Sequence, residues 1–96
     1  MTMPASIAGD MSIGHAGFSP APITPTTATV LVMGAPPHVV GDLIGPHVLG
    51  QAVHTGTVGK ASTTVLVNSK GLARLMDKGD CQSLILGSAG TVMVGG

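Results

Sequence analysis

Hydrophobic residues in this chain fall into short β-branched runs, and three of the runs are near copies. Thr29-Val30-Leu31-Val32, Thr64-Val65-Leu66-Val67 and Thr91-Val92-Met93-Val94 each stop at turn-forming residues, namely Met33-Gly34, Asn68-Ser69 and Gly95-Gly96. Runs this short, bounded by turn signals, read as strands entering hairpins and not as helices. Return strands are predicted over residues 36–40 and 72–76. Both run straight into a turn, at Gly41-Asp42 and at Asp77-Lys78-Gly79.

The repeated unit is longer than its strands. Residues 33–42 align without a gap on residues 68–77, residues 4–10 match the later part of the same unit, and residues 91–96 supply the earlier part. A unit divided between the two ends predicts closure, with the C-terminal strand pairing with the N-terminal one. Three such hairpins around an axis predict a single all-β domain over residues 1–96, a small closed pseudo-threefold assembly of short β-hairpins with little or no helix. Two segments depart from the pattern. Residues 19–27 hold Pro20, Pro22 and Pro25 and predict an extended stretch with little regular hydrogen bonding. Residues 48–60, which carry His54, predict a linking loop.

Composition makes the core the problem. The 96 residues include 15 Gly, 7 Pro, one Phe and neither Trp nor Tyr, so little aromatic area is available for burial. A domain of this size buries only somewhat more than about 60% of its unfolded surface. Small domains so placed are stapled by disulfides, a metal or a partner. One cysteine excludes an internal disulfide. Metal and partner remain.

Charge removes other classes. Four Lys and Arg balance four Asp, with no Glu. There is no basic patch for a phosphate backbone and no aromatic platform for bases, so nucleic acid is not a predicted partner. The apolar runs are too short to span a bilayer, and a basic amphipathic helix is missing. Residues 1–10 lack the charged and apolar regions of a signal peptide. With a lone thiol, this predicts synthesis in a reducing cytoplasm.

The candidate chemistry follows the repeat. Asp10 leads to His15, Asp42 to His47 and Asp77 to Cys81, each four or five residues on. Closure about an axis brings these three together, and His54 supplies a fourth ligand from its loop. Structural zinc takes four tetrahedral Cys and His ligands, and a site with four protein ligands has no open position. Iron is the second metal such ligands accept. In zinc-finger peptides binding of this kind contributes about 10–16 kcal/mol of apparent folding free energy, enough to replace an aromatic core. A histidine taken singly is more often a surface or turn residue. His38, inside a return strand where Ala73 aligns, is read that way, and Asp10, Asp42 and Asp77 are read as turn formers.

At these residues the unit resembles the PAAR repeat. Pro4-Ala5-Ser6, Pro36-Pro37-His38 and Leu72-Ala73-Arg74 look like degenerate copies of its Pro-Ala-Ala-Arg motif, each followed by Gly-Asp or its equivalent, with Met76 standing where glycine is usual. The resemblance covers nearly the whole chain and implies a sharp cone seated through its wide base on a trimeric β-helical spike, one tip per trimer. It implies the puncturing end of a contractile injection apparatus, a type VI secretion system or a phage tail. It further implies zinc near the apex held by His15, His47, His54 and Cys81, transient contact with a target membrane, effector cargo as a further partner, and delivery outward from the cytoplasm. With the sequence ending at Gly96, a bare structural tip is expected and not an enzyme. Two other classes compete. A metal hydrolase or transferase needs an open coordination position and a general base, and a Cys81/His54 nucleophile needs an oxyanion hole. A free-standing zinc-stapled β adaptor would dock effectors or other proteins by strand addition.

Overall fold

The computed structural model describes residues 2–13, 19–27, 29–80 and 83–96, His54 by its backbone alone. Among the described residues the domain is all β, with no helix. Ten strands occur in order: β1 (Met3–Ala5), β2 (Met11–Ile13), β3 (Ala21–Thr24), β4 (Leu43–Leu49), β5 (Ala52–Lys60), β6 (Leu66–Val67), β7 (Lys70–Gly71), β8 (Lys78–Gly79), β9 (Leu84–Ile85) and β10 (Ala89–Val94). Six of them close into a small barrel in the order β2-β3-β4-β5-β8-β9, and β1-β10 and β6-β7 form separate two-stranded pairs.

Turn chemistry accounts for the two-stranded pairs. Met33 and Gly34 sit at φ +51° and +80°, Asn68 and Ser69 at +50° and +67°. Positive φ at both central residues is the type I′ geometry that matches strand twist. The turns bring Val32 against Ala35 and Val67 against Lys70. The corresponding pair, Val94 with Met3, joins the two ends of the chain, so β10 closes on β1 as the divided repeat requires. In all three TVxV copies the last valine is buried: Val32, Val67 and Val94 are 9%, 7% and 2% exposed.

Residues 36–40 and 72–76 are not the return strands that were predicted; they make isolated bridges. Their backbone bonds run to the next copy of the unit instead. Leu75 N–H donates to Pro4 O, Ala8 to Pro36 and Val40 to Gly71, at 2.9, 2.8 and 2.9 Å. In the opposite sense Ser6 donates to Ala73 O, His38 to Ser6 O and Ala73 to His38 O, all at 2.9 Å. Each set is a closed ring of three bonds among positions that align in the repeat. A segment that serves two neighbours in rotation cannot build a ladder with either.

Three turns follow the rings, and their bonds are the same. The Asp10, Asp42 and Asp77 carboxylates accept from the N–H three residues back, at Ile7, Val39 and Arg74, each at 2.9 Å. The residue before each aspartate has φ of +98° (Gly9), +94° (Gly41) and +75° (Met76). Glycine adopts that conformation without penalty; a methionine does so at a steric cost of about 1–2 kcal/mol.

Two further expectations are corrected. Within residues 19–27, β3 is a barrel strand between β2 and β4. Proline removes a donor only at its own position, so Ala21 and Ile23 still face the core while Pro22 and Thr24 face out. Within residues 48–60, the expected loop is instead the longest hairpin, β4–β5, turning at Gly50-Gln51.

Two apolar clusters result. Ala21, Ile23, Ile44, Val58, Ala61, Ala73 and Ile85 fill the barrel. Ala5, Val32, Val39, Val67, Leu72, Ala89 and Val94 pack under the paired strands. Sequence neighbours Leu72 and Ala73 belong to different clusters, so the ring segments separate them. The barrel is narrow. At the aligned positions Ser12, Ile44 and Gly79, a Cβ on Gly79 would lie 2.7 Å from Ile44 Cδ1, so one large residue leaves room for none at the next.

Candidate metal centre

Every strand pair in the barrel is antiparallel, so β2, β4 and β8 run the same way. The C-terminal ends of β2, β4 and β8, where the β2–β3, β4–β5 and β8–β9 connections begin, therefore lie at one end of the barrel, and the three aspartate turns, each just before its strand, lie at the other. Those three connections carry the candidate ligands. His15 falls in the first and Cys81 in the last, and both lie outside the described residues.

The middle hairpin brings the other two together. His47 on β4 and His54 on β5 are directly opposed in register. His47 is fully buried, and its Nδ1 lies 2.6 Å from the Ser19 carbonyl oxygen. A carbonyl only accepts, so Nδ1 carries the hydrogen and the lone pair of the neutral ring is on Nε2. An outer hydrogen bond that orients the ring in this way is the usual support of a metal-binding imidazole. Imidazole and thiolate are the ligand types that structural zinc takes.

The connections are tied to this hairpin at their described ends. Ser19, which follows the His15 segment, donates its N–H to Val48 O at 2.9 Å and accepts from Val48 N–H through Oγ at 3.0 Å. Asp80, which precedes Cys81, donates its N–H to Thr57 O at 2.8 Å, and its carboxylate accepts from Thr57 N–H at 3.0 Å and Thr57 Oγ at 3.1 Å. Among the described residues no group of three or more His, Cys, Asp or Glu converges into a site.

The aspartates are occupied at the opposite end. Besides its turn bond, Asp10 accepts from Ser88 N–H at 2.9 Å and Asp42 from the Thr26 hydroxyl at 2.6 Å. Asp77 holds the Arg74 guanidinium through Nε and Nη2, both at 2.9 Å. That hydrogen bonding, more than the attraction of the charges, raises the arginine pKa against a smaller opposing effect of burial. Arg74 Nη1 also donates to Gly95 O at 2.8 Å, tying the third turn to the end of β10.

Sequence reasoning missed His38. It is fully buried on the second backbone ring, with Nδ1 2.7 Å from Ser6 Oγ. The signal was the alignment itself. Its counterparts are Ser6 and Ala73, and such small residues at two of three aligned positions mark a crowded axis with room for one ring.

No protein-family model matches the chain, and no curated protein matches it.

Proposed function

We propose that the chain is a PAAR-like spike tip: a pseudo-threefold cone that caps the trimeric β-helical spike of a contractile injection apparatus and acts without turnover. The observation that carries this reading is the pair of closed three-bond rings, which relate residues 4, 36 and 71 and residues 6, 38 and 73 to one another in rotation. A symmetric trimer needs a single cap to present three near-equivalent contacts. The paired-strand end offers them. Leu31, Leu66 and Met93, the third residues of the TVxV copies, are 58%, 57% and 50% exposed, and Val30 and Val65 lie beside them at 39% and 38%. Apolar residues and strand edges in this arrangement suit a β-rich partner.

At the other end, His15, His47, His54 and Cys81 would hold one zinc ion. Bound there, the ion cross-links strand connections where the barrel is too narrow for a larger apolar core. His47 contributes a ring already fixed in the right tautomer by Ser19, and the β4–β5 register supplies the His47/His54 pair. Contact with a target membrane, any cargo and outward delivery belong to the same proposal.

The test is docking. A β-helical spike trimer should retain the wild-type chain on a column and should fail to retain a Leu31→Asp/Leu66→Asp variant that melts normally. Equal retention of both proteins would remove the base from the interface.

A further inference from the structure

We propose that His38 is an acid-sensitive pin: its neutral ring locks the seam between the first and second copies of the repeat, and its protonation loosens that seam. The inference is independent of the docking proposal and of the metal.

Three features of the site carry it. First, position decides what the ring can disturb. His38 donates its backbone N–H to Ser6 O and accepts at its own carbonyl from Ala73, so it takes part in two of the three bonds of the ring. The side chain adds a cross-link between the same two copies, from Nδ1 to Ser6 Oγ at 2.7 Å. Second, the ring is fully buried, and Nε2 makes no well-formed hydrogen bond among the described residues, the Ile23 backbone giving the ring only weak support. A neutral imidazole bonded through one nitrogen leaves a single polar atom unsatisfied. An imidazolium carries N–H on both nitrogens and a full charge, and burial of such a group without a partner is far more costly.

Third, the charges that act on the ring are committed elsewhere. Asp42 and Asp10 favour its protonation, in that order, and the Ile23 backbone helps less. Yet Asp42 Oδ1 accepts from Thr26 and its Oδ2 from Val39 N–H. Asp10 Oδ2 accepts from both Ile7 and Ser88 N–H. Neither carboxylate bonds to the imidazole. Burial outweighs them, and the pKa of His38 falls below 6.5.

The sign follows. Below pH 6.5 the unfolded chain takes up a proton that the folded chain refuses, so stability is whole above 6.5 and is lost as pH falls toward the lowered value. For one such group the melting temperature should fall by about 4–8 °C per pH unit within that window. His38→Ala and His38→Ser place at this position the residues its counterparts already carry, so the backbone accommodates both.

The experiment compares melting of the full chain and each variant from pH 7.5 to 5.0, with zinc in excess. The histidines and the cysteine of the metal site are present in every protein and cancel in the difference. The advantage of wild type over the variants should shrink steadily below pH 6.5. A constant difference across that range overturns the proposal. An NMR titration of the wild-type ring keeps the question open to a direct answer if the variants fold poorly. A His38 resonance that stays unprotonated below pH 6 while the protein is folded supports the pin, and one that titrates near 6.5 without any loss of structure refutes it.

Discussion

The two ends of the barrel use charge and hydrogen bonding in opposite ways. At the turn end, three aspartates make one bond three times, and each carboxylate then takes a different second partner: Ser88, Thr26 or Arg74. These three carboxylates are satisfied within the protein. At the hairpin end one carboxylate, Asp80, ties the last connection to Thr57, and the His47 ring is oriented by a backbone carbonyl. The turn end is complete as a protein structure. A cation bound at the hairpin end, as proposed, would make the two ends respond differently to the same treatments.

The largest expected effect separates them at once. Chelation of the metal, or Cys81→Ser, should remove roughly 3–4 kcal/mol or more and lower the melting temperature by about 15 °C, read by calorimetry. Hydrogen exchange should show the loss concentrated in β4 and β5, with the amides of Ser6, His38 and Ala73 retaining protection. Next comes the turn end. Asp42→Ala strands the buried Val39 N–H and frees the exposed Thr26 hydroxyl, at a cost of about 1–3 kcal/mol that zinc should not restore. Denaturant melts with and without metal would check it, and rescue by zinc would merge the two regions into one.

Two smaller effects sharpen the picture. Met76 is the turn residue out of step with Gly9 and Gly41, so Met76→Gly should relieve a left-handed methionine and gain about 1 kcal/mol, or 4–8 °C. A loss of stability instead would show that the exposed side chain contributes packing that outweighs its strain. Last, Leu31→Asp with Leu66→Asp should change stability by only about 0.5 kcal/mol, because both side chains are exposed, while abolishing capture by the spike.

Much of the turn end could be read from the chain. The I′ turns at Met33-Gly34 and Asn68-Ser69, the aspartate turns and the pairing of β10 with β1 all follow from local chemistry repeated at aligned positions. The rotation of partners did not follow. Residues 36–40 and 72–76 have the composition of strands, but their bonds go to another copy of the unit, and no local signal specifies which copy. β3 was hidden by its prolines, although only Pro22 lies in the paired register with Met11. The β4–β5 hairpin was hidden because Gly50-Gln51 is a weak turn signal, so His54 reads as a loop residue when it lies on β5, opposed in register to His47. His38 was dismissed because its counterpart is alanine, which was in fact the mark of its axial position.

Native mass spectrometry of the zinc-loaded chain mixed with a trimeric β-helical spike protein tests the central claim most directly. One mass is predicted: three spike chains, one copy of this chain and one zinc ion. Three tips on one trimer, a complex free of metal, or no complex at concentrations where spike and tip are both folded would contradict it.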